Sequence, residues 1–161
     1  MNIIEYENYQ EKLNHHSSPF PYLTYPCSIP HDFTQVPLHW HDEIEFVYIK
    51  KGTGMVAVDF SNLEVTAGDI VFICPGQLHA IAQLGQHSME YENIIFPLSL
   101  LNSRQSDTAW ENWLAPIALR CHHLIACLHP DMLPYPDISS CLDQIDEIRR
   151  TFPDAYELLI K

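Results

Sequence analysis

His39-Trp40-His41-Asp42-Glu43-Ile44-Glu45 is the stretch around which this chain of 161 residues is organised; Gly52 follows seven residues after Glu45, and Gly68 and His79 lie beyond it. His39, His41 and Glu45 share one parity. In an extended strand, side chains at i, i+2 and i+6 leave the backbone on the same face. Two imidazoles and a carboxylate then look into one space, and His79 can join them from across a turn. Two or three His with one carboxylate is a donor set that divalent transition metals accept. Glu45 adds weight to that reading, because a carboxylate on an inward face is costly unless a cation, a proton or an imidazolium meets it. Glu43 has the same parity and is expected at the flared, solvated end of the strand.

On either side of this stretch the chain reads as short strands between turns. Ile44–Ile49 is β-branched and aromatic and runs into the breaker Lys50-Lys51-Gly52-Thr53-Gly54. Met55–Phe60 makes a second strand, Ser61-Asn62 a tight turn, and Leu63–Thr66 a short third strand. Ile70–Cys74 is apolar throughout and is bounded by Gly68-Asp69 and Pro75-Gly76. His79–Leu84 and Met89–Phe96 complete the series. Upstream, Pro19, Pro21, Pro26, Pro30 and Pro37 forbid helix and leave Tyr22–Tyr25 as a candidate edge strand. Asn14–Ser18 reads as loop. The expectation is one antiparallel barrel over about residues 20–100, with helices only after it.

The pattern His39-X-His41-X3-Glu45-X6-Gly52 resembles the first motif of the cupin superfamily at every spaced position, and Gly68-Asp69, Gly76 and His79 resemble the second. There are two departures. The second motif's proline stands one place late, at Pro75, and Gln83 occupies its terminal asparagine position, which keeps an amide there. The resemblance covers about residues 35–96 and implies a mainly β fold, a double-stranded β-helix (jelly-roll) barrel followed by a C-terminal helical segment. Its metal ligands would be His39, His41, Glu45 and His79; Gln83, on the face of His79, would join them in lining a ligand cavity. Two readings stay open: one divalent transition metal (Zn, Ni, Mn or Fe), or a metal-free polar lining that grips a ligand's hydroxyl or carboxylate.

Beyond Pro97 the character changes. Asp107–Leu114 carries Trp110, Trp113 and Leu114 at helical spacing with an N-cap in Ser106 or Asp107, and Pro116 should stop or kink it. Residues 117–129 fit either a buried helix or an alternating strand. After Pro130, Pro134 and Pro136, the residues Ile138, Leu142, Ile145 and Ile148 form one face of a helix over 138–150. A further helix carries Leu158 and Leu159 to the last residue with no capping signal, as in a chain cut short. A barrel (residues 1–100) followed by a helical segment (101–161) resembles the effector-binding and dimerisation region of AraC-type transcription regulators. That resemblance implies a small-molecule effector, a homodimer through the C-terminal helices, and DNA contact only through a helix-turn-helix domain that is absent from this sequence. A small metal-dependent cupin enzyme (dioxygenase, isomerase or decarboxylase) is the alternative. No acid/base partner accompanies the ligand set, and the non-enzyme reading is preferred.

Bulk properties agree. Eight Lys and Arg against 21 Asp and Glu give a formal net charge of −13, so these residues alone should not hold a phosphate backbone. No long apolar run indicates a membrane span or signal peptide. Five scattered Cys without CxxC spacing read as reduced thiols in a cytoplasmic protein.

Overall fold

A computed structural model describes residues 3–11, 19–102, 107–122 and 124–161. The Asn14–Ser18 loop, the candidate cap Ser106 and His123 lie outside the described residues.

Two antiparallel sheets share one long strand. In chain order the strands are β1 (Leu23–Ile29), β2 (Gln35–His39), β3 (Ile44–Val58), β4 (Ser61–Thr66), β5 (Ile70–Ile73), β6 (His79–Gln83), β7 (Met89–Phe96) and β8 (Cys127–Leu128). The first half of β3 pairs with β5 and β7; its second half pairs with β4 and β6, and β2 closes on β6. The outcome is the mainly β antiparallel barrel expected from the motifs, followed by helices.

The Lys50–Gly54 breaker does not break the strand. β3 runs through it with a bulge between Ile49 and Lys51 that hands the chain from one sheet to the other. Gly52 makes this passage possible. Its φ is +76°, and a Cβ there would lie 1.9 Å from the Ser88 carbonyl oxygen. The β3–β4 hairpin turns at Asp59-Phe60 rather than Ser61-Asn62, since Val58 pairs with Ser61. Asp59 takes a positive φ, and its carboxylate accepts from Gln77 Nε2 at 2.8 Å and from the Leu78 N–H at 3.2 Å. Pro26 sits in β1, whose ladder is to β7 alone, an edge position that tolerates a missing N–H.

The apolar run of β5 has a direct explanation: its sheet is buried on both faces. Val47, Ile49, Val71, Ile73, Met89 and Tyr91 point into the barrel, with Val56, Val65 and Ile81 from the other sheet. Ile44, Tyr48, Ile70, Phe72, Ile94 and Phe96 point the other way, under the helices. Those helices are α3 (Tyr135–Thr151) and α4 (Tyr156–Ile160). Ile138, Leu142, Ile145 and Ile148 of α3 pack on this outer face in cis, and Leu142 is 4% exposed. Polar ties reinforce the contact. Lys50 Nζ lies 3.3 Å from Asp146 and 3.5 Å from Asp143 and Glu92, and Arg149 donates to the Tyr22 carbonyl at 2.9 Å.

Three further expectations meet the structure here. A short helix, α1 (Ile3–Glu7), precedes the barrel; Tyr6 stacks on Trp40 at 4.7 Å and its backbone carbonyl accepts from the indole N–H. Pro116 does not stop its helix, which runs on for two residues. The turn Trp110–Leu114 widens so that the Ala115 N–H bonds Trp110 O, five residues back, and α2 (Ala115–Ala118) continues with Pro116 in its first turn, where no donor is required. Finally, residues 117–129 divide between the two readings, helix to Ala118 and then strand β8, which pairs with β5. No helix among the described residues is long and apolar enough to cross a membrane.

Candidate metal centre

His39 ends β2, His41 lies in the corner that follows, Glu45 is the second residue of β3, and His79 opens β6. The four are thus brought together by a corner and a cross-strand pair rather than by one strand's parity: His39 is the register partner of His79. Each offers one donor atom, and the four donors lie within 4.8 Å of one another. Glu45 is the hub. Its Oε2 is 2.9 Å from His41 Nε2 and 3.2 Å from His79 Nε2. The ring centroids of His39 and His79 are 4.1 Å apart. His79 and Glu45 are almost wholly enclosed, His41 is 5% exposed, and His39 is half-buried at the mouth.

The backbone fixes two tautomers. A carbonyl oxygen can only accept, so His79 Nδ1–H donates to Gln77 O at 2.9 Å and His39 Nδ1–H donates to Pro37 O at 2.8 Å. Their Nε2 atoms carry lone pairs unless protonated. For His79 that lone pair faces a carboxylate oxygen, an arrangement requiring a proton or a metal cation between them. Burial by itself would push the Glu45 carboxyl up, but the His79 charge and hydrogen bonds from His41 and His79 outweigh it and hold it well below the carboxylate range. Burial likewise works against the charged form of His79, yet Glu45 prevails and raises it. Burial and the neighbouring His79 charge lower His39.

Glu43 is corrected from solvent to interior. It is 4% exposed, with Oε2 3.5 Å from His41 Nδ1. The corner at Asp42-Glu43 departs from strand geometry and turns the side chain inward; Asp42 goes outward to Arg120 at 2.7 Å. Gln83 shares the face of His79, but four extended residues carry it roughly 13 Å along β6, and its amide donates to His87 O at 3.1 Å. The structure therefore groups His39, His41, Glu45 and His79 and leaves Gln83 outside.

The donor set fits a metal. Three imidazoles and the Glu45 carboxylate are N and O donors, which at about 2.0–2.2 Å from a central ion suit Zn, Ni, Mn or Fe. Bound there, the ion would act as a Lewis acid toward an oxygen donor. A second group was not anticipated. Asp69, Cys127 and His129 also bring donors within 4.8 Å. His129 Nδ1 is 2.7 Å from Asp69 Oδ1, and Asp69 Oδ2 accepts from the Thr66 N–H. The i, i+2 spacing of Cys127 and His129 on an edge strand was the available signal.

The chain matches the AraC-like ligand binding domain over residues 27–148. It is 37% identical over 79 residues to YdeC, an uncharacterized HTH-type transcriptional regulator of Bacillus subtilis (strain 168); the match takes in 48% of this chain and 27% of that protein, so the chain spans about a quarter of its relative. Among solved structures it is similar to a cupin protein from Bacteroides fragilis (22% identity, 52% of this chain and 72% of that one, TM-score 0.47). It is also similar to a predicted oxalate decarboxylase from Thermotoga maritima (28%, 47% and 65%, TM-score 0.43). The family match covers most of the sequence and includes all four clustered residues: the chain belongs to the AraC-like ligand-binding domain family.

Proposed function

We propose that the His39–His41–Glu45–His79 centre holds one divalent transition metal, and that this region senses a small-molecule effector, with that metal as part of the recognition site. The observation that supports the metal is the convergence of three imidazoles and one carboxylate, whose donor atoms lie within 4.8 Å of one another in a largely buried site. The effector's oxygen donor would reach the metal past His39, the one half-buried ligand at the mouth. The response passes to α3 because the outer face of β3, β5 and β7 is also the bed of that helix. The sensing unit works as a homodimer through the C-terminal helices, in the cytoplasm, and DNA is contacted by a helix-turn-helix domain outside these residues. Family membership supports this reading.

Elemental analysis of untagged protein, with thermal melts in Zn²⁺, Ni²⁺, Mn²⁺ and Fe²⁺, tests the metal. One equivalent bound and a raised melting temperature are expected, both lost in the His41→Ala/His79→Ala double variant. An unchanged melt in all four ions would leave a polar pocket. The complete donor set supports an enzyme as the second reading; metal-dependent turnover of a small carboxylate substrate that Glu45→Gln abolishes would establish it instead.

A further inference from the structure

We infer that the chain has a second ligand site, outside the barrel, for a neutral or cationic aromatic molecule held between the outer sheet face and α3. A cavity of about 340 Å³ opens there, at the small end of ligand-pocket volumes (about 300–1,000 Å³). The inside of the barrel offers its own side chains instead: Val47, Ile49, Val56, Val71 and Ile73 are all 0% exposed. The cavity lies on the opposite sheet face from Glu45 and is independent of the metal centre.

Its walls define the ligand class. Phe46 meets Phe72 and Phe96 edge-on, at centroid distances of 4.9 and 5.6 Å with interplanar angles of 83° and 88°. Tyr22 joins this aromatic wall, with Ile138, Leu142 and Ile145 of α3 opposite. Aromatic edges and faces of this kind accept a flat π-system, and ring faces also attract cations. The Tyr22 hydroxyl is buried without a hydrogen-bond partner among the described residues, an anomaly for a phenol 4% exposed. Asp137 is the one charged residue on the lining, and the chain is strongly acidic overall. Anionic amphiphiles are therefore disfavoured. Leu101, Asp137 and Cys141 are exposed on the rim, which leaves a way in.

The position gives the site a consequence. One wall is barrel and the other is α3, so an occupant binds best when the helix is seated and shifts the population toward that posture. This rests on the reading of the domain as a sensor, but binding itself does not depend on that reading.

Cys141 supplies the test, because it stands on the cavity rim while Cys121 is exposed elsewhere. The probe is 1-aminoanthracene, a neutral aromatic amine, titrated by fluorescence and paired with N-ethylmaleimide labelling. One saturable site per chain is expected. At ten times the dissociation constant, labelling of Cys141 should slow about ten-fold while Cys121 is unaffected. Anionic 8-anilinonaphthalene-1-sulfonate should bind at least about ten-fold more weakly, and Ile138→Trp, filling the cavity, should abolish binding; if that variant does not melt cooperatively, Cys141→Trp replaces it. No saturable binding, an unprotected Cys141 or tighter binding of the anion would each overturn the inference. None of these outcomes bears on the metal-dependent melts, so the two proposals fail separately.

Discussion

Glu92 should make seating of α3 pH-dependent, in the direction opposite to that of most carboxylates. Its carboxyl is pushed up to about 7, first by burial, then by a shared hydrogen bond with Asp146 and that residue's charge; Lys50 opposes the shift. Because the folded-state value exceeds the ordinary 4.5, the folded chain binds more protons than the unfolded chain between those two pH values. Stability contributed by this group is then present in full below about 4.5 and is lost as pH rises toward 7. A shift from 4.5 to about 7 corresponds to an upper bound of roughly 3 kcal/mol, each pH unit being worth about 1.4 kcal/mol. The group is only partly enclosed and faces Lys50 at 3.5 Å, so solvent screening reduces this to about 1–2 kcal/mol.

The perturbation is Glu92→Gln, which keeps the shape, removes the charge and can donate to Asp146. Urea midpoints for both proteins between pH 4.5 and 8 are the assay. At pH 7.5 the variant should be more stable by about 1–2 kcal/mol. At pH 4.5 the difference should vanish. A variant that is less stable at pH 7.5 would show that the Lys50–Glu92 attraction outweighs burial and Asp146 repulsion, and the reasoning would be refuted.

Two packing predictions follow. Leu142→Ala should cost about 2–3 kcal/mol, the low end for a buried leucine because the site already borders a cavity, and lower the melting temperature by roughly 2–4 °C per kcal/mol; a loss under about 0.5 kcal/mol, typical of exposed helix positions, would mean that α3 is not seated in solution. Gly52→Ala should destabilise by at least about 2 kcal/mol in a urea titration, since it combines left-handed strain with a Cβ 1.9 Å from Ser88 O; a near-neutral variant would contradict the bulge.

What was legible beforehand depended on how local the cause was. Strands bounded by Gly and Pro could be read because turn chemistry is short-range, and His39, His41, Glu45 and His79 because their spacing survives the corner that replaces the expected continuous strand. Glu43 was misplaced for the same reason: alternation predicts a direction only while the chain remains extended, and Asp42-Glu43 is not. Gln83 shares a face with His79, yet a shared face does not supply proximity over four residues of strand. The Lys50–Gly54 segment has the composition of a turn, and only its pairing with β7 and β4 makes it strand, a tertiary effect no local pattern contains. Likewise the apolar stripe of α3 announced that it must be buried; which surface buries it is settled by the second apolar face of β3, β5 and β7.

That last point changes how association is to be tested. Ile145 is half-buried against its own barrel, so Ile145→Asp would place a charge in the cis interface and unseat α3 whatever the oligomeric state. An exposed apolar surface lies further on, at the C-terminal end of the helices. Phe152 and Ala155 both take positive φ (45° and 60°), a conformation costing roughly 1–2 kcal/mol per non-glycine residue. The strained link redirects the chain so that Ile160 returns to the core while Leu158 and Leu159 face out, 74% and 56% exposed. Phe152, 59% exposed, flanks them and packs edge-on against Tyr156 at 5.2 Å. Apolar side chains gathered at the end of one helix are suited to an isologous contact with a second copy. Leu158→Asp is therefore the informative substitution. The wild type should sediment as a dimer at micromolar concentration and the variant as a monomer with an unchanged cooperative melt. A monomeric wild type, or a variant that remains dimeric, would remove the C-terminal helices from the dimer interface.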